Sequence, residues 1–498
     1  MHSPGDETTA ARIDSIELYN VGQAFILGSY PIHFHMIGTV HTSYVRNNAI
    51  HHTFNRAVTI HGVHYLRVEN NVAYHTMGHT IFIEDAAETK NYIDHNLIVD
   101  VRRSWSLLNT DQTPASIWIT NPNNIITNNH AAGSDRYSYW YDLQITAIGP
   151  SFDPNICPEN ERLGEFRDNV AHSNGRYGLR LFHNLIPREH PCEAMTYSGD
   201  PDDPYPNNAP IMAEFHNLVS WKNKRNGAIA ERVGAVQWHN FKTADNLLAG
   251  MEYSITEDII DGYAKIVGGL VIGRSENTEE ALDWASPKGI INSRTEGFAI
   301  EGTKFYNFDY NEAAAMGTCS HCWHDNNTDS GGRTITVSDL YFDDATVPRR
   351  VLYTTPWRTI FHDKTGSLTG LGPNSWFLPY WHHLLQPECE NAPEWGGIVC
   401  GSTVEVRRVA LHGLPSNFFG MRLKITPFDR ADENSLSSDD TLQEYLDSDA
   451  NYSVVPFKDK QDPSSAWAMP YVTGHRYRLH WEAGMDFETM KVELSERW

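Results

Sequence analysis

A repeat of about 23 residues is the feature that most constrains the fold of this chain. The segments 46–53 (RNNAIHHT) and 69–76 (ENNVAYHT) superimpose with a shift of 23 positions, and the same shift aligns Ile60 with Ile83 and His61 with Glu84. Short repeats of this kind bury their apolar face only by stacking on neighbouring repeats. The chain is therefore predicted to be all-β, with a right-handed parallel β-helix in which each repeat forms one coil.

Asparagine marks the same point in successive repeats. An Asn comes just before a short apolar strand at 94–99, 127–131, 167–174 and 214–220, as it does in the two aligned segments. Asn tolerates the left-handed backbone conformation and bonds its own backbone, so it suits the tight corner between two strands. Stacked corner side chains can also bond to one another as a ladder. We therefore expect an asparagine ladder along one corner of the solenoid.

The strand pattern predicts two domains. The coils are expected over 1–350, with long insertions at 150–166 and 186–210. Beyond them, alternating polar and apolar residues at 403–409 and 475–481 predict a smaller antiparallel β domain over 351–498, with an acidic loop at 429–450.

The charge balance excludes some partners. The 498 residues include 63 acidic and 39 basic side chains, a formal net charge of −24. Nucleic acid is not expected as a partner, because the broad basic surface that it requires is missing. Any acidic polymer would need a local basic groove or a bound cation. No apolar run reaches the roughly 18 residues of a spanning helix, so no transmembrane segment is expected.

The six cysteines fall into three pairs that are local in sequence. This pattern is typical of disulfides formed in an oxidising compartment and predicts an extracellular or cell-surface protein. The middle pair is a CxxC motif that could instead bind metal or carry out redox chemistry, although a second CxxC that would complete a zinc site is missing. The pairs are Cys157/Cys192, Cys319/Cys322 and Cys389/Cys400.

Histidines and carboxylates coincide on three consecutive coils. If successive coils are in register, alternation along the strands directs the apolar residues inward and His35, His61 and Glu84 outward in one row. Further histidines and a carboxylate lie near this row on the same outward face of the predicted strands. The predicted metal ligands are His33, His35, His61, His79, Glu84 and Asp85.

Two imidazoles and a carboxylate on a rigid strip are ligands that divalent metals accept, with positions left for water or substrate. We therefore expect a divalent metal ion, whose identity stays open among Zn, Fe, Mn and Ca. The same groups could act as general acid and base without metal. They could also be a solvated ladder without catalytic role, or the 2-His-1-carboxylate site of an oxidoreductase.

Residues farther along the chain suit a sugar ligand. Carboxylates there can cleave a glycosidic bond, an Arg can bind a uronate in a forked geometry, and aromatic rings can stack on sugars. Alternatively, the aromatic residues form part of the buried core, and the Asp and Arg side chains bond only to each other. The predicted catalytic residues are Asp111, Asp135 and Glu84, and the predicted substrate-binding residues are Arg136, Trp140 and Asp142.

Several runs resemble one family, that of the cell migration-inducing hyaluronan-binding protein, transmembrane protein 2 and fibrocystin-L. The resemblance implies an extracellular or cell-surface β-helix that binds hyaluronan and in some members depolymerises it. It also implies that the six predicted metal ligands match the family motif position by position. The runs lie at 30–38, 50–62, 78–85, 118–124, 131–134 and 361–370, with Cys389 and Cys400 flanking Trp395.

Taken together, these patterns predict a β-helix protein whose partner is an acidic polysaccharide such as hyaluronan. Depolymerisation by a metal-dependent glycosidase of the hyaluronidase type is one expectation. The other is a non-catalytic adhesion or receptor module in which the histidine row is structural. Hyaluronan length after incubation separates the two.

Overall fold

The chain folds into three parallel sheets, here called sheets A, B and C, that wind around a common core. Each coil consists of one strand from each sheet in the order A, B, C. The computed structural model describes residues 1–6, 8–105, 109–200, 203–256, 262–276, 285–293, 297–310, 312–317, 334–352, 359–412, 422–427, 453–456, 467–481 and 491–494.

The strands of the three sheets are short and follow one another in chain order. Sheet A comprises His2–Pro4, Ile32–Thr39, Val58–His64, Ile81–Ile83, Ala115–Ile119, Tyr137–Asp142, Tyr177–Leu185, Asn226–Val233, Ala249–Thr256, Lys288–Ile291, Ala314–Gly317 and Val351–Leu352. Sheet B comprises Arg12–Asp14, Tyr44–Arg46, Arg67–Glu69, Tyr92–Asp94, Ile125–Thr127, Glu165–Arg167, Ala213–His216, Val236–His239, Ala264–Val267, Phe298–Glu301, Thr334–Ser338 and Ile360–Asp363. Sheet C comprises Glu17–Tyr19, Ala49–His51, Val72–Met77, Leu97–Arg102, His130–Ala132, Val170–His172, Val219–Trp221, Lys242–Ala244, Leu270–Ile272, Lys304–Tyr306 and Tyr341–Phe342.

Antiparallel structure follows the last coil. Three strands extend sheet B in antiparallel fashion, and two further antiparallel sheets of three strands each complete the C-terminal part. The predicted all-β fold, a parallel β-helix followed by smaller antiparallel sheets, is thus confirmed. The strands are Ser375–Pro379, Gly397–Cys400 and Cys389–Ala392, then Trp467–Val472, Val406–His412 and Lys491–Leu494, and finally Ser453–Pro456, Arg422–Pro427 and Tyr477–Trp481.

Helical structure in the described ranges is limited to 3₁₀ turns, and none of it is long and apolar enough to span a membrane. The parallel strands continue through Ile360–Asp363, so the division predicted at 350/351 lies within the last coil. The CxxC motif at 319–322 and the acidic loop at 429–450 lie outside the described residues. The 3₁₀ turns are Asn109–Gln112, Gly149–Ser151, Pro158–Asn160, Val347–Arg349 and Pro393–Trp395.

Alternation along the strands places the apolar residues inside the solenoid. Phe34, Ile60 and Ile83 lie in register on three adjacent strands of sheet A and are at most 1% exposed. A fully buried aliphatic or aromatic side chain contributes roughly 1.5–3 kcal/mol relative to an exposed one. The core therefore fixes which residues of each sheet A strand face outward.

The predicted asparagine ladder is present at the corner between sheets B and C. The side-chain amide of Asn48 donates to Asn71 (2.9 Å), and the pattern continues through Asn96 (2.9 Å), Asn129 (3.0 Å) and Asn169 (3.2 Å). The left-handed conformation belongs to the preceding residue in each case, such as Asn47 (φ 57°). One residue makes the turn, and the next one makes the ladder.

We expect Asn96→Ala to lower the free energy of unfolding by about 2–3 kcal/mol, because the change removes buried hydrogen bonds from the backbone and side chain of Asn71 and to Val68 and Asn129. Urea denaturation measures this loss. The exposed loop variant Asn155→Ala should stay within about 0.5 kcal/mol of the unmutated chain. Equal effects of the two changes would contradict a stabilising ladder.

Two disulfides tie loops and strands together, as the local cysteine pairs predict. Cys157–Cys192 joins the two long insertions, which leave sheet A in neighbouring coils. Cys389–Cys400 links two directly paired antiparallel strands. The first insertion is thereby fixed against the second, and it forms one wall of the site described next.

Candidate functional site

The outward histidines come from adjacent strands of sheet A whose register matches the predicted coil shift. His35 pairs with His61, one residue after the pair of Phe34 with Ile60 and three after the pair of Ile32 with Val58. On the next coil Glu84 directly follows the last paired residue, and its backbone N–H donates to the carbonyl of Ile60 (3.1 Å). The structure thus brings His35, His61 and Glu84 together on one face.

Three imidazoles converge at this point. One nitrogen from each of His33, His35 and His61 can be chosen so that all three lie within 4.8 Å of one another. The ring centroids are 4.7 Å apart for His35 and His61 and 5.0 Å apart for His33 and His35. His33 directs Nδ1 towards the carbonyl of Gly28 (3.1 Å), and this donated bond makes Nε2 its acceptor nitrogen.

His61 lies between two carboxylates. Its Nε2 donates to Asp85 Oδ2 at 2.7 Å, and its Nδ1 lies 3.5 Å from Glu84 Oε2. Burial alone would lower the pKa of His61, but the Asp85 bond and the nearby negative charges of Glu84 and Asp85 outweigh it, and the pKa is raised. Burial raises the pKa of Glu84, and the His61 charge opposes this.

Asp85 occupies a different place from the one predicted for a metal ligand. It lies behind His61, on the nitrogen turned away from Glu84, and it also accepts from the backbone N–H of Ser151 (3.2 Å). Burial raises the pKa of Asp85, yet the bonds from His61 and Ser151 dominate and lower it. This is the position of a carboxylate that orients a ligating histidine rather than one that ligates.

The first long insertion forms a wall beside these groups. The backbone N–H of Ile148 donates to the carbonyl of Asp85 (2.9 Å), and Ser151 lies 3.7 Å from the Met36 sulfur. Gly149 packs so tightly on Asp85 that a Cβ there would lie 2.6 Å from a carboxylate oxygen. The insertion therefore closes one side of the site.

Glu88 is a site residue that the sequence patterns do not reveal. It is completely buried, and its carboxylate accepts the backbone N–H groups of Gly62 (2.8 Å) and Asp85 (3.0 Å). Burial raises its pKa to about 7. Glu88 lies in a turn, where alternation no longer fixes side-chain direction. Its only signal is an acidic residue directly after two alanines.

Asp111, one of the predicted catalytic residues, lies in a buried ion pair. Asp111 is 2% exposed, and its two oxygens accept from Arg56 Nε (3.1 Å) and Nη2 (2.8 Å). Arg56 is itself fully buried and stacks on Phe82 at 3.6 Å. A carboxylate held in such a pair braces the structure and is not exposed to a polysaccharide.

His79, one of the predicted metal ligands, lies beside this buried pair rather than with His33, His35 and His61. Its Nδ1 accepts the backbone N–H of Ala115 (3.0 Å), so the proton is on Nε2, 3.8 Å from Asp111 Oδ1. Its ring packs on Trp118 with centroids 3.8 Å apart. Complete burial and the charge of Arg56 lower the pKa of His79 well below its usual range.

The remaining predicted residues lie on later coils. Asp135 accepts the backbone N–H of Arg103 (2.9 Å) at the corner between sheets C and A, away from Glu84. Trp140, a predicted substrate-binding residue, is only 6% exposed and stacks on Trp118, as in the alternative of a buried aromatic core. Arg136 is half-buried at the same corner as Asp135.

Asp142 lies on the row that contains Glu84. Strand register places Thr120 beside Glu84 on the next coil and Asp142 one coil farther. The Asp142 carboxyl group is 3.9 Å from His183 Nε2. Burial raises its pKa to about 6, although Arg180 opposes the shift. Asp142 is therefore a second outward carboxyl group with altered acidity.

Comparison with known proteins places this chain among relatives of much greater length. A family model described as CEMIP beta-helix matches residues 5–179. Fibrocystin-L of Homo sapiens is 33% identical over 420 residues, covering 82% of this chain and 10% of that protein. The Homo sapiens cell migration-inducing and hyaluronan-binding protein is 28% identical over 472 residues, covering 78% of this chain and 34% of that protein.

Cell surface hyaluronidase CEMIP2 of Homo sapiens is 26% identical over 479 residues, covering 79% of this chain and 34% of that protein. The chain thus spans between a tenth and about a third of the length of these relatives. The predicted resemblance is confirmed, since the matched region includes the coils that carry the histidine cluster. Residues 5–179 thus match the CEMIP beta-helix family model, and about four fifths of the chain is similar to fibrocystin-L and to the cell migration-inducing and hyaluronan-binding protein.

Proposed function

We propose that this chain binds an acidic polysaccharide such as hyaluronan and depolymerises it at a divalent-metal site formed by His33, His35, His61 and Glu84. The observation that carries the proposal is the convergence of three imidazole nitrogens within 4.8 Å, with the Glu84 carboxylate beside them. The ligand class comes from two relatives, whose names describe hyaluronan binding and a cell-surface hyaluronidase.

The donor set fits a transition metal. Glu84 Oε2 is buried without a hydrogen bond in the described structure, and it faces Nδ1 of His61. With Nε2 of His61 donating to Asp85, Nδ1 is the nitrogen that can ligate, as in a carboxylate–histidine–metal arrangement. Imidazole donors favour Zn or Fe over Ca, which takes oxygen ligands. A divalent ion held there would supply a Lewis acid next to the sugar.

Asp142 is the best-placed proton donor for cleavage of a glycosidic bond. It lies two coils from Glu84 on the same row, or roughly 9–10 Å along the sheet. Acid and base carboxyls of inverting glycosidases are about 6.5–9.5 Å apart, with water between them. A carboxyl group with a pKa of about 6 is half protonated in slightly acidic solution, far more than an ordinary aspartate, and can give its proton to the leaving oxygen.

An extracellular or cell-surface location accords with this function. The two described disulfides suit an oxidising compartment, and CEMIP2 is named as a cell-surface protein.

A non-catalytic adhesion module is the second candidate. It is favoured by the position of His61 between the carboxylates of Asp85 and Glu84. A protonated His61 would offset their negative charge without a metal ion. In that case the cluster stabilises the coils, and polysaccharide binds without being cut.

Metal analysis of the purified chain, followed by sizing of hyaluronan after incubation, tests the proposal. We expect about one transition-metal ion per chain, loss of the ion in His35→Ala, and its retention in the exposed control His216→Ala. Asp142→Asn should keep the ion and slow depolymerisation by about 10²–10⁴-fold. An unmutated chain that contains no metal would contradict the proposed metal site. Bound metal with unchanged hyaluronan length supports the adhesion module.

A further inference from the structure

Four arginines form a column along the corner between sheets C and A. The backbone N–H of Arg176 donates to the carbonyl of Arg136, and that of Arg225 donates to the carbonyl of Arg176, both at 2.9 Å. These bonds join equivalent positions on successive coils, so the side chains repeat about every 4.8 Å. Arg103 takes the place on the preceding coil, where its backbone N–H bonds Asp135. We call Arg103, Arg136, Arg176 and Arg225 the arginine column.

The charges of this column are not neutralised by the protein. In the described ranges, none of its guanidinium groups forms an ion pair; the nearby pair of Asp135 is with Arg102. Arg225 reaches only the hydroxyl of Tyr177 (3.5 Å), and Arg136 Nε is buried without a hydrogen bond. Burial and the charges of Arg103 and Arg176 also lower the pKa of Arg136.

Such a column is unexpected in a chain with a net charge of −24. Adjacent like charges repel one another, and a structure keeps them at small cost only if they are well hydrated or if an anion binds. Arginine is also the side chain best suited to bind a carboxylate through two parallel hydrogen bonds. The column therefore supplies the local basic groove that an acidic polymer would require.

A cleft continues from the end of the column across the outer face of sheet A. It has a volume of about 670 Å³, and its lining includes Arg225, Tyr177, Phe182 and His183. Neutral hydrogen-bonding groups such as Asn184 also line it, as do the carboxylates of Glu159 and Glu231. Charged, amide and aromatic groups in one cleft match the carboxylates, hydroxyls and apolar faces of sugar rings.

We propose that the arginine column and this cleft form a binding track for a uronate-containing polysaccharide, separate from the histidine cluster. In such a polymer the carboxylates recur on alternate sugars, and alternate arginines of the column lie two coil spacings apart, roughly 9–10 Å. The inference rests on the proposed ligand class but not on metal or catalysis. The track would hold the polysaccharide, and Glu84 and Asp142 would face one of the glycosidic bonds of that polysaccharide.

Binding of a hyaluronan decasaccharide to the full chain in the presence of EDTA tests the track without the metal. Isothermal titration calorimetry should show at least about tenfold weaker binding for Arg176→Ala combined with Arg225→Ala. The dependence of the dissociation constant on salt should also become shallower. The control Arg167→Ala, in which an exposed arginine paired with Glu165 is removed, should bind as the unmutated chain does.

The outcomes separate the track from the proposed function. Equal affinity of the double variant and the unmutated chain overturns the track, whatever the metal content. A lack of decasaccharide binding by the unmutated chain overturns both the track and the proposed ligand class. The metal site is tested separately, by the metal content of the purified chain. Loss of binding in the double variant with unchanged metal content supports the track. Circular dichroism and thermal unfolding confirm that the variants are folded.

Discussion

Arg56→Ala should lower the free energy of unfolding by about 3–5 kcal/mol, the loss typical of breaking a buried ion pair on one side. The variant leaves the carboxylate of Asp111, 2% exposed, without its cation. It also removes a guanidinium group that stacks on Phe82 and lies 3.4 Å from the hydroxyl of Tyr30. Urea denaturation followed by tryptophan fluorescence measures the change.

Two further variants show whether the charge is the cause. Arg56→Met combined with Asp111→Leu should recover most of the lost stability, because apolar residues of similar size can replace a buried pair at little cost. Arg102→Ala, which breaks a partly exposed pair with Asp135, should cost no more than about 1 kcal/mol. A loss below 1 kcal/mol in Arg56→Ala would show that the pair does not brace the structure.

His61→Ala should weaken binding of the proposed metal ion by at least about 100-fold, whereas Asp85→Asn should weaken it by about 10–100-fold. The difference follows from position, because His61 faces both Glu84 and the other imidazoles, while Asp85 contacts the far nitrogen of His61. Carboxylates that only orient a ligating histidine have effects of this smaller size. Competition with a chromogenic chelator measures both affinities.

A matched control is His172→Ala, since His172 is a half-buried histidine of sheet C that contacts His130 rather than the cluster. Its metal affinity should be unchanged. If Asp85→Asn abolished binding as completely as His61→Ala, Asp85 would be a direct ligand, as the sequence pattern predicts. Thermal unfolding of Asp85→Asn is needed as well, because the same carboxylate holds Ser151.

The part of the site that could be predicted from sequence is the part set by strand alternation. A shift of 23 positions, adjusted for one longer coil, correctly aligned His35, His61 and Glu84, because the inward packing of Phe34, Ile60 and Ile83 leaves one outward register. A slip by one residue would reverse inside and outside. Period and burial together therefore determine this row.

The roles of His79 and Asp111 could not be predicted in this way. Both depend on Arg56, which reaches Asp111 across 55 positions of sequence from a loop without strand periodicity. Spacing alone cannot show that a carboxylate has a buried cation. The same holds for Asp85, whose function as a partner of His61 depends on the direction of a single side chain in the turn after a strand.

The arginine column could not be predicted from the sequence for a different reason. Sequence patterns indicate Arg136 alone, because unequal insertions separate the four residues and no period connects them. Only the backbone bonds between successive coils reveal that they are neighbours. Corner positions of a β-helix can therefore align side chains that are irregularly spaced in the sequence.

The bond from Ser151 to Asp85 has a consequence for the order in which the molecule is completed. The wall comes from the sixth coil, whereas the histidines come from the second and third, so the cluster is enclosed only when Ser151, 66 residues after Asp85, has been added. During synthesis, the early coils would present an open cluster until the later insertion arrives. A fragment that ends at Asp142 would contain every imidazole of the cluster and yet lack its cover.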